Sequence, residues 1–323
     1  MAKKIGVIID FLNDKYERQL NAAAARYGYE IEYFPSSAAA VGNVDDCEIL
    51  YGHCSQKVIR SAKSLKWYCC CWAGVDRFCD ESLYQNPDCR LTNSSGAYGT
   101  TISEHLIMVC LMLLRRQPEY TEIIRAGGWE TLPGGIRSLH GARITVLGTG
   151  DIGTEFARRA QAFQPACITG VRRTVRPSDP AFTSIHAIAE LDSVLPETDL
   201  LVMALPSTAE TVGILSRERI ALLPDSAFVV NVGRGTAIDQ EALCDALNAG
   251  RLAGAALDVV VPEPLPADHP LRRAKNLLLT PHVAGNMTLG YTCDKSVQMF
   301  CDDLKNYAAG RPLAHLVDRK RGY

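Results

Sequence analysis

Neither sign of charge dominates this chain. Of its 323 residues, 34 are Lys or Arg and 36 are Asp or Glu, giving a formal net charge of −2. A nucleic-acid partner would need a clustered basic excess, so none is expected. The basic residues at the ends, Lys3 and Lys4 and then Arg319, Lys320 and Arg321, form short clusters that read as solvated termini. Long hydrophobic runs are also missing. The longest candidate, over 102–114, is broken by Glu104 and His105 and closes at Arg115 and Arg116. That falls short of the ~20 apolar residues of a membrane span. The first residues lack the apolar stretch and small-residue cleavage site of a secretory signal, so a cytoplasmic protein is expected. No C-x-x-C pair occurs among the twelve cysteines. Without a secretory signal, disulfides are not expected. Cys69, Cys70 and Cys71 sit in an apolar run whose successive side chains would face opposite ways, so they cannot converge on one ion. They read as small buried thiols, and no metal is expected.

What is present is alternation. In the first third, strand patterns over 4–9, 30–34, 48–51, 66–71 and 89–92 are interleaved with helical stretches over 14–27 and 55–62. A strong helix follows over 101–116, with Thr100 or Thr101 as its cap. A second series begins after Gly141: strands over 142–147, 166–171, 200–205, 226–232, 253–259 and 276–280, and helices over 152–163 and 240–248. Such β/α alternation predicts parallel sheets with helices on their faces, in two domains. Four prolines between Val261 and Leu271 make that stretch a loop. A helical pattern over 288–307 stops at Gly310-Arg311-Pro312.

The clearest motif follows the first strand of the second series. Gly148-Thr149-Gly150-Asp151-Ile152-Gly153 joins a predicted strand to a predicted helix, the setting in which G-x-G-x-x-G marks a dinucleotide site. Gly148 permits the tight turn, Gly150 lets backbone approach a pyrophosphate, and Gly153 allows close helix–strand packing. Free N–H groups at the helix start then face the phosphates. An NAD site usually places a carboxylate at the end of the next strand, roughly 20 residues on. Here that strand ends Arg172-Arg173-Thr174, with Arg176 beyond, and carries no carboxylate. Guanidiniums suit a 2′-phosphate; ordinary surface arginines are the competing reading. NADP(H) is expected as the preferred cofactor, with NAD(H) as the alternative.

Three further segments lie at or after strand ends: Val232-Gly233-Arg234-Gly235, Asp258-Val259-Val260-Val261-Pro262-Glu263-Pro264 and Thr280-Pro281-His282-Val283-Ala284-Gly285. Ligands of open α/β sheets bind at those ends, so Arg234, Glu263 and His282 can meet although distant in sequence. With these motifs in this order, the chain resembles the D-isomer-specific 2-hydroxyacid dehydrogenase family. The likeness extends to Trp72-Ala73-Gly74-Val75-Asp76, Asp268-His269-Pro270-Leu271 and Leu304-Lys305-Asn306-Tyr307 with Gly310-Arg311-Pro312-Leu313. Val260 stands where an aromatic residue is common in the family.

The resemblance implies a Rossmann coenzyme domain, 98–288, inserted in a flavodoxin-like substrate domain, 1–97 and 289–323, with the substrate in the cleft. It implies hydride transfer between NADP(H) and a small 2-oxo or D-2-hydroxy acid. Arg234 would hold the substrate carboxylate and polarise its 2-oxo group, His282 would deliver the proton, and Glu263 would orient the imidazole and favour its charged form. The glycine-rich loop, Arg172, Arg173, Thr174, Leu205, Pro206, Val232, Gly233, Asp258, His282 and Gly285 would contact the cofactor, with Asp258 on the nicotinamide carboxamide. Ala73, Gly74 and Arg234 would bind substrate. Tyr98 reads equally as a substrate contact or a packing residue. Trp129 reads as a core anchor or as a contact with a second subunit, and kinship implies a homodimer. A non-catalytic dinucleotide sensor on the same fold is the rival class.

Overall fold

Two parallel sheets organise the chain in a computed structural model that describes residues 3–175 and 179–323. The chain divides into two compact units. One comprises Met1–Tyr98 and Asn286–Tyr323, the other Gly99–Gly285. Unit one holds β1 (Lys3–Ile8), β2 (Tyr29–Tyr33), β3 (Cys47–Gly52), β4 (Trp67–Cys70) and β5 (Arg90–Thr92), in the order β2-β1-β3-β4-β5. Unit two holds β6 (Arg143–Leu147), β7 (Cys167–Arg172), β8 (Ser184–Ala187), β9 (Leu200–Met203), β10 (Phe228–Asn231), β11 (Gly254–Leu257) and β12 (Leu277–Leu279). Its order is β12-β11-β10-β9-β6-β7-β8. These are the flavodoxin-like and Rossmann orders that the sequence led us to expect. They reverse between β1 and β3 in unit one and between β6 and β9 in unit two, and such switch points open crevices at the carboxyl ends of strands.

The composition of the strands explains the layers. β9 and β10 are buried along their whole length, as strands covered on both faces must be. β11 offers only Gly254, Ala255, Ala256 and Leu257, and these small side chains let the helix Gly99–Leu114 pack over it. In unit one the helix Asp14–Arg26 starts where the Asn13 side chain accepts from Tyr16 N at 3.1 Å. Its residues Tyr16, Leu20 and Ala24 form one buried stripe. The last helix, Gly290–Ala308, packs in the same unit: Tyr16 donates its hydroxyl to Asp294 at 2.7 Å, and Phe300 stacks on Tyr51 with centroids 4.3 Å apart. Asp303, only 1% exposed, then accepts from Ala314 N at 2.6 Å and faces His315 Nδ1 at 3.0 Å, holding the tail.

Several local expectations need correction. The helix predicted over 101–116 spans Gly99–Leu114, so Thr100 and Thr101 lie inside its first turn rather than at a cap. Arg116 then takes a left-handed backbone, φ 56°, and a separate helix, Gln117–Arg125, follows. β8 escaped prediction because it is a short, half-buried edge strand of mixed polarity. Cys69, Cys70 and Cys71 are all buried and unpaired, and burial pushes their thiols above the usual range. Glu32, Asp46 and Cys47 have ligand-like spacing, but Lys4 Nζ lies 2.6 Å from Asp46 and 3.8 Å from Glu32, so the protein supplies its own cation there. No helix of the described residues is long and apolar enough to cross a membrane.

Candidate functional site

Unit two gathers its polar groups at the carboxyl ends of its strands. The turn after β6 needs Gly148 at φ 104°, and a Cβ on Gly153 would stand 2.0 Å from Gly148 O, so strand and helix are in direct backbone contact. Several helices elsewhere in the chain begin with side-chain caps, among them those capped by Asn13, Ser55 and Asp239, each accepting from a first-turn amide; the helices Gln117–Arg125 and Gly290–Ala308 do not. The helix Asp151–Ala160 has none. It begins at exposed Gly150, where a Cβ would meet nothing within 4 Å. Its first amides are thus left for a ligand. Thr149 Oγ1 is buried here with no hydrogen-bond partner among the described residues. Asp151 directs its carboxylate elsewhere: a Cβ on Gly99 would lie 2.5 Å from its Oδ1. Its main chain is therefore the part that faces the loop.

Arg172 ends β7 beside this loop, half-buried, with Arg173 and Thr174 exposed after it. Arg176 lies outside the described residues. These groups fit a dinucleotide whose ribose carries a phosphate: an uncapped helix start, an orphaned hydroxyl and guanidiniums at the neighbouring strand end. Leu205 and Pro206 follow β9, and Val232 N donates to Met203 O at 3.0 Å, so both segments belong to the same strand-end wall.

Arg234, Glu263 and His282 follow β10, β11 and β12, three adjacent strands. Asn231 shapes the first turn, accepting from Gly233 N at 3.0 Å and donating to Arg234 O at 2.9 Å. A Cβ on Gly235 would fall 2.4 Å from the carbonyl carbon of Val260, so the Arg234 turn rests directly on the next loop. In that loop Val260 N donates to Glu263 Oε1 at 3.0 Å, and Glu263 Oε2 lies 2.8 Å from His282 Nδ1. The pair is accessible, with the His282 side chain 51% exposed. Gln240 braces the same loop through both main-chain groups of Val261, at 2.6 and 2.9 Å.

His282 takes a left-handed backbone, φ 55°, which costs a non-glycine residue roughly 1–2 kcal/mol. Asp258 holds it there. Its carboxylate, 3% exposed, accepts from Thr280 Oγ1 at 2.6 Å, Val283 N at 2.9 Å and Ala284 N at 3.0 Å, while its carbonyl accepts from His282 N at 2.8 Å. Both oxygens of the residue expected at the nicotinamide carboxamide are thus engaged with the His282 segment, and Gly285 closes that segment. His105 looks toward Asp258 from the helix Gly99–Leu114; burial holds its imidazole below the usual range, against the pull of that carboxylate.

In unit one, Ala73 and Gly74 are half-buried in the turn after β4, where Asn93 Nδ2 donates to Ala73 O at 2.7 Å. Tyr98 is 3% exposed, with its hydroxyl bonded to Cys71 O at 2.8 Å. Its burial and this bond fit the packing reading of Tyr98. Trp129 is 90% exposed, which removes the core-anchor reading. The bracing roles of Asn231, Gln240 and Thr280 were missed. Asn231 and Thr280 adjoin the motifs and could have been noticed; Gln240 carries no local signal.

Residues 107–284 match the family described as D-isomer specific 2-hydroxyacid dehydrogenase, NAD binding domain. Over 190 residues the chain is 36% identical to a glyoxylate/hydroxypyruvate reductase B from Pectobacterium carotovorum subsp. carotovorum (strain PC1). That overlap covers 57% of this chain and 58% of the relative, less than two thirds of its length. A D-isomer specific 2-hydroxyacid dehydrogenase family protein from Aeromonas salmonicida subsp. salmonicida A449 has a similar structure, with TM-score 0.87 and 30% identity, covering 99% of this chain and 100% of that one. An NADPH-dependent glyoxylate/hydroxypyruvate reductase from Sinorhizobium meliloti, in complex with NADP and sulfate, aligns with TM-score 0.84 and 26% identity over 99% and 100% of the two chains.

Proposed function

This chain belongs to the D-isomer specific 2-hydroxyacid dehydrogenase family, and we propose that it reduces small 2-oxo acids to D-2-hydroxy acids with NADP(H). The observation that carries the reading is the 2.8 Å pair of Glu263 and His282, which follow β11 and β12, the next two strands of the sheet after β10, which delivers Arg234. When bound, the reduced nicotinamide supplies a hydride to the 2-oxo carbon. Arg234 forks onto the substrate carboxylate and the 2-oxo oxygen, and its permanent charge stabilises the alkoxide as that oxygen gains electron density. His282 gives the oxygen a proton from Nε2, while Glu263 at Nδ1 fixes the ring and offsets its charge. Asp258 holds the backbone that aims the ring. Unit two is the dinucleotide-binding domain of this reading and unit one the substrate domain, with Ala73 and Gly74 offering main-chain N–H groups to a carboxylate.

Arg172, Arg173 and the missing carboxylate after β7 support NADP(H) over NAD(H), in keeping with the cofactor of the Sinorhizobium relative. Exposed Trp129 supports a homodimer in which a second copy covers it, since a large aromatic is seldom left in water. Twelve unpaired thiols suit the reducing cytoplasm. The test is a panel of 2-oxo acids with NADPH and NADH, followed by loss of the reduced cofactor's absorbance. Turnover of glyoxylate or hydroxypyruvate with NADPH is expected. Tight NADPH binding without turnover of any member would instead favour a dinucleotide sensor.

A further inference from the structure

The helix Gly99–Leu114 crosses β10 and β11 with an apolar face, on which Leu106, Val109, Cys110 and Leu113 are buried. His105 interrupts that face. It stands four residues before Val109, and so on the same side of the helix, half-buried at the carboxyl ends of β10, β11 and β12. With Val109 it lines a small cavity whose wall includes Asn231, Asp258 and Thr280. All five residues belong to unit two. A polar ring in such a place costs desolvation unless it meets a partner.

The polar wall has one acceptor to spare. Thr280 donates its hydroxyl to Asp258 Oδ1 at 2.6 Å, and Val283 N donates to the same oxygen at 2.9 Å. Oδ2 accepts from Ala284 N alone among the described residues, at 3.0 Å. A carboxylate oxygen has room for two donors, and His105 is not one of the direct donors. The cavity that both residues line has a volume of about 10 Å³, room for a single water. Asn231 and Thr280 supply the further polar contacts that a buried water needs. Asp258 is the charged group that faces the ring, yet burial outweighs its pull and holds the imidazole below its usual range. The ring is therefore neutral at neutral pH and carries one N–H to give.

We propose that His105 donates through one bound water to Asp258 Oδ2, and so positions the segment that carries His282. Its consequence for catalysis rests on the reductase reading, whereas the contact itself needs no substrate. Asp258 fixes that segment by accepting from the amides of Val283 and Ala284. A further donor on the same carboxylate holds its rotamer and makes those bonds firmer. His105 is thus a positioning residue that acts through Asp258, and the proton for the substrate still comes from His282.

Amide exchange in the full chain reads the contact directly. His105→Leu removes the donor and fills the cavity with an apolar side chain. The amides of Val283 and Ala284 should then exchange about tenfold faster, the loss of roughly one hydrogen bond, while those of Val229 and Val230 in β10 keep their wild-type rates. His105→Gln keeps an N–H donor and should recover most of the protection. With His105→Leu, kcat should fall in step with the lost protection, and His105→Gln should restore both. A crystal structure should hold one ordered water between His105 and Asp258 Oδ2. Unchanged exchange at Val283 and Ala284, equal quickening in β10, a Gln variant as fast as the Leu one, or a dry cavity would each overturn the proposal. So would a kcat unmoved by the lost protection. Should His105→Leu fail to fold, His105→Met carries the same test. A wild type that turned over no 2-oxo acid would sink the reductase reading and leave the exchange result to decide this contact.

Discussion

The carboxyl edges of the two sheets solve different physical problems with the same strand geometry. In unit two the polar groups after β10, β11 and β12 meet one another: Asp258 is met by Thr280, Val283 and Ala284, Glu263 by Val260 and His282, Asn231 by its own turn. In unit one the edge is an aromatic stack in which His53 Nε2 has no hydrogen-bond partner among the described residues. A saturated network holds a proton donor in place before any ligand arrives, because each bond fixes a rotamer in advance. An unmet buried acceptor does the opposite, leaving a desolvation cost that no bond within its own neighbourhood offsets.

The comparison can be broken most forcefully at His282. Its replacement by Ala should lower kcat by roughly 10²–10⁴, while NADPH affinity from fluorescence titration changes little; an unchanged kcat would remove it from the chemistry. Next comes the network behind it. Asp258→Asn replaces one accepting oxygen with an NH2 donor facing groups that need an acceptor, and should cost about 2–4 kcal/mol of stability in urea unfolding, with a parallel fall in kcat. If stability fell and kcat did not, Asp258 would brace the fold and not the reaction. A smaller effect is expected at the strand end that carries the arginines. The double change Arg172→Ala with Arg173→Ala should raise the KM for NADPH about 10- to 100-fold and leave that for NADH alone. Equal losses for both cofactors would show that these guanidiniums do not read the 2′-phosphate.

The smallest effect sharpens unit one. Burial pushes the Asp303 carboxyl upward, but His315 and the amide of Ala314 outweigh it and hold the group below the usual carboxylate range. A depressed folded-state value contributes stability that is complete above the unfolded value of about 4 and is lost as pH falls through the folded one. Amide exchange at Ala314 and His315 should therefore quicken only at acid pH, and Asp303→Asn should abolish that dependence. Loosening that was equally marked near neutrality would remove Asp303 as its source.

Much of this was legible in one dimension. The phosphate loop could be read because its parts are contiguous, strand, glycine turn and helix obeying local rules of φ, reach and periodicity. The buried strands could be read because covering both faces demands unbroken apolar runs such as 200–203. β8 could not, since an edge strand of four half-buried residues has no face to advertise. Gln240 could not either, because its bond partners at Val261 lie twenty-one residues away and nothing in its own neighbourhood requires them.

By itself the chain of residues determined where strands, turns and helix starts fall, and which residue types stand at the strand ends, since sterics, propensity and hydrophobic period act over a few neighbours. Tertiary structure alone decided that β10, β11 and β12 lie side by side and so set Glu263 against His282. It also decided that Asp258 spends both oxygens on the His282 segment, that Tyr98 is packed away, and that His53 Nε2 meets no partner among the described residues. Those outcomes depend on which distant groups reach hydrogen-bonding distance once the sheets have formed, and no local preference encodes that distance.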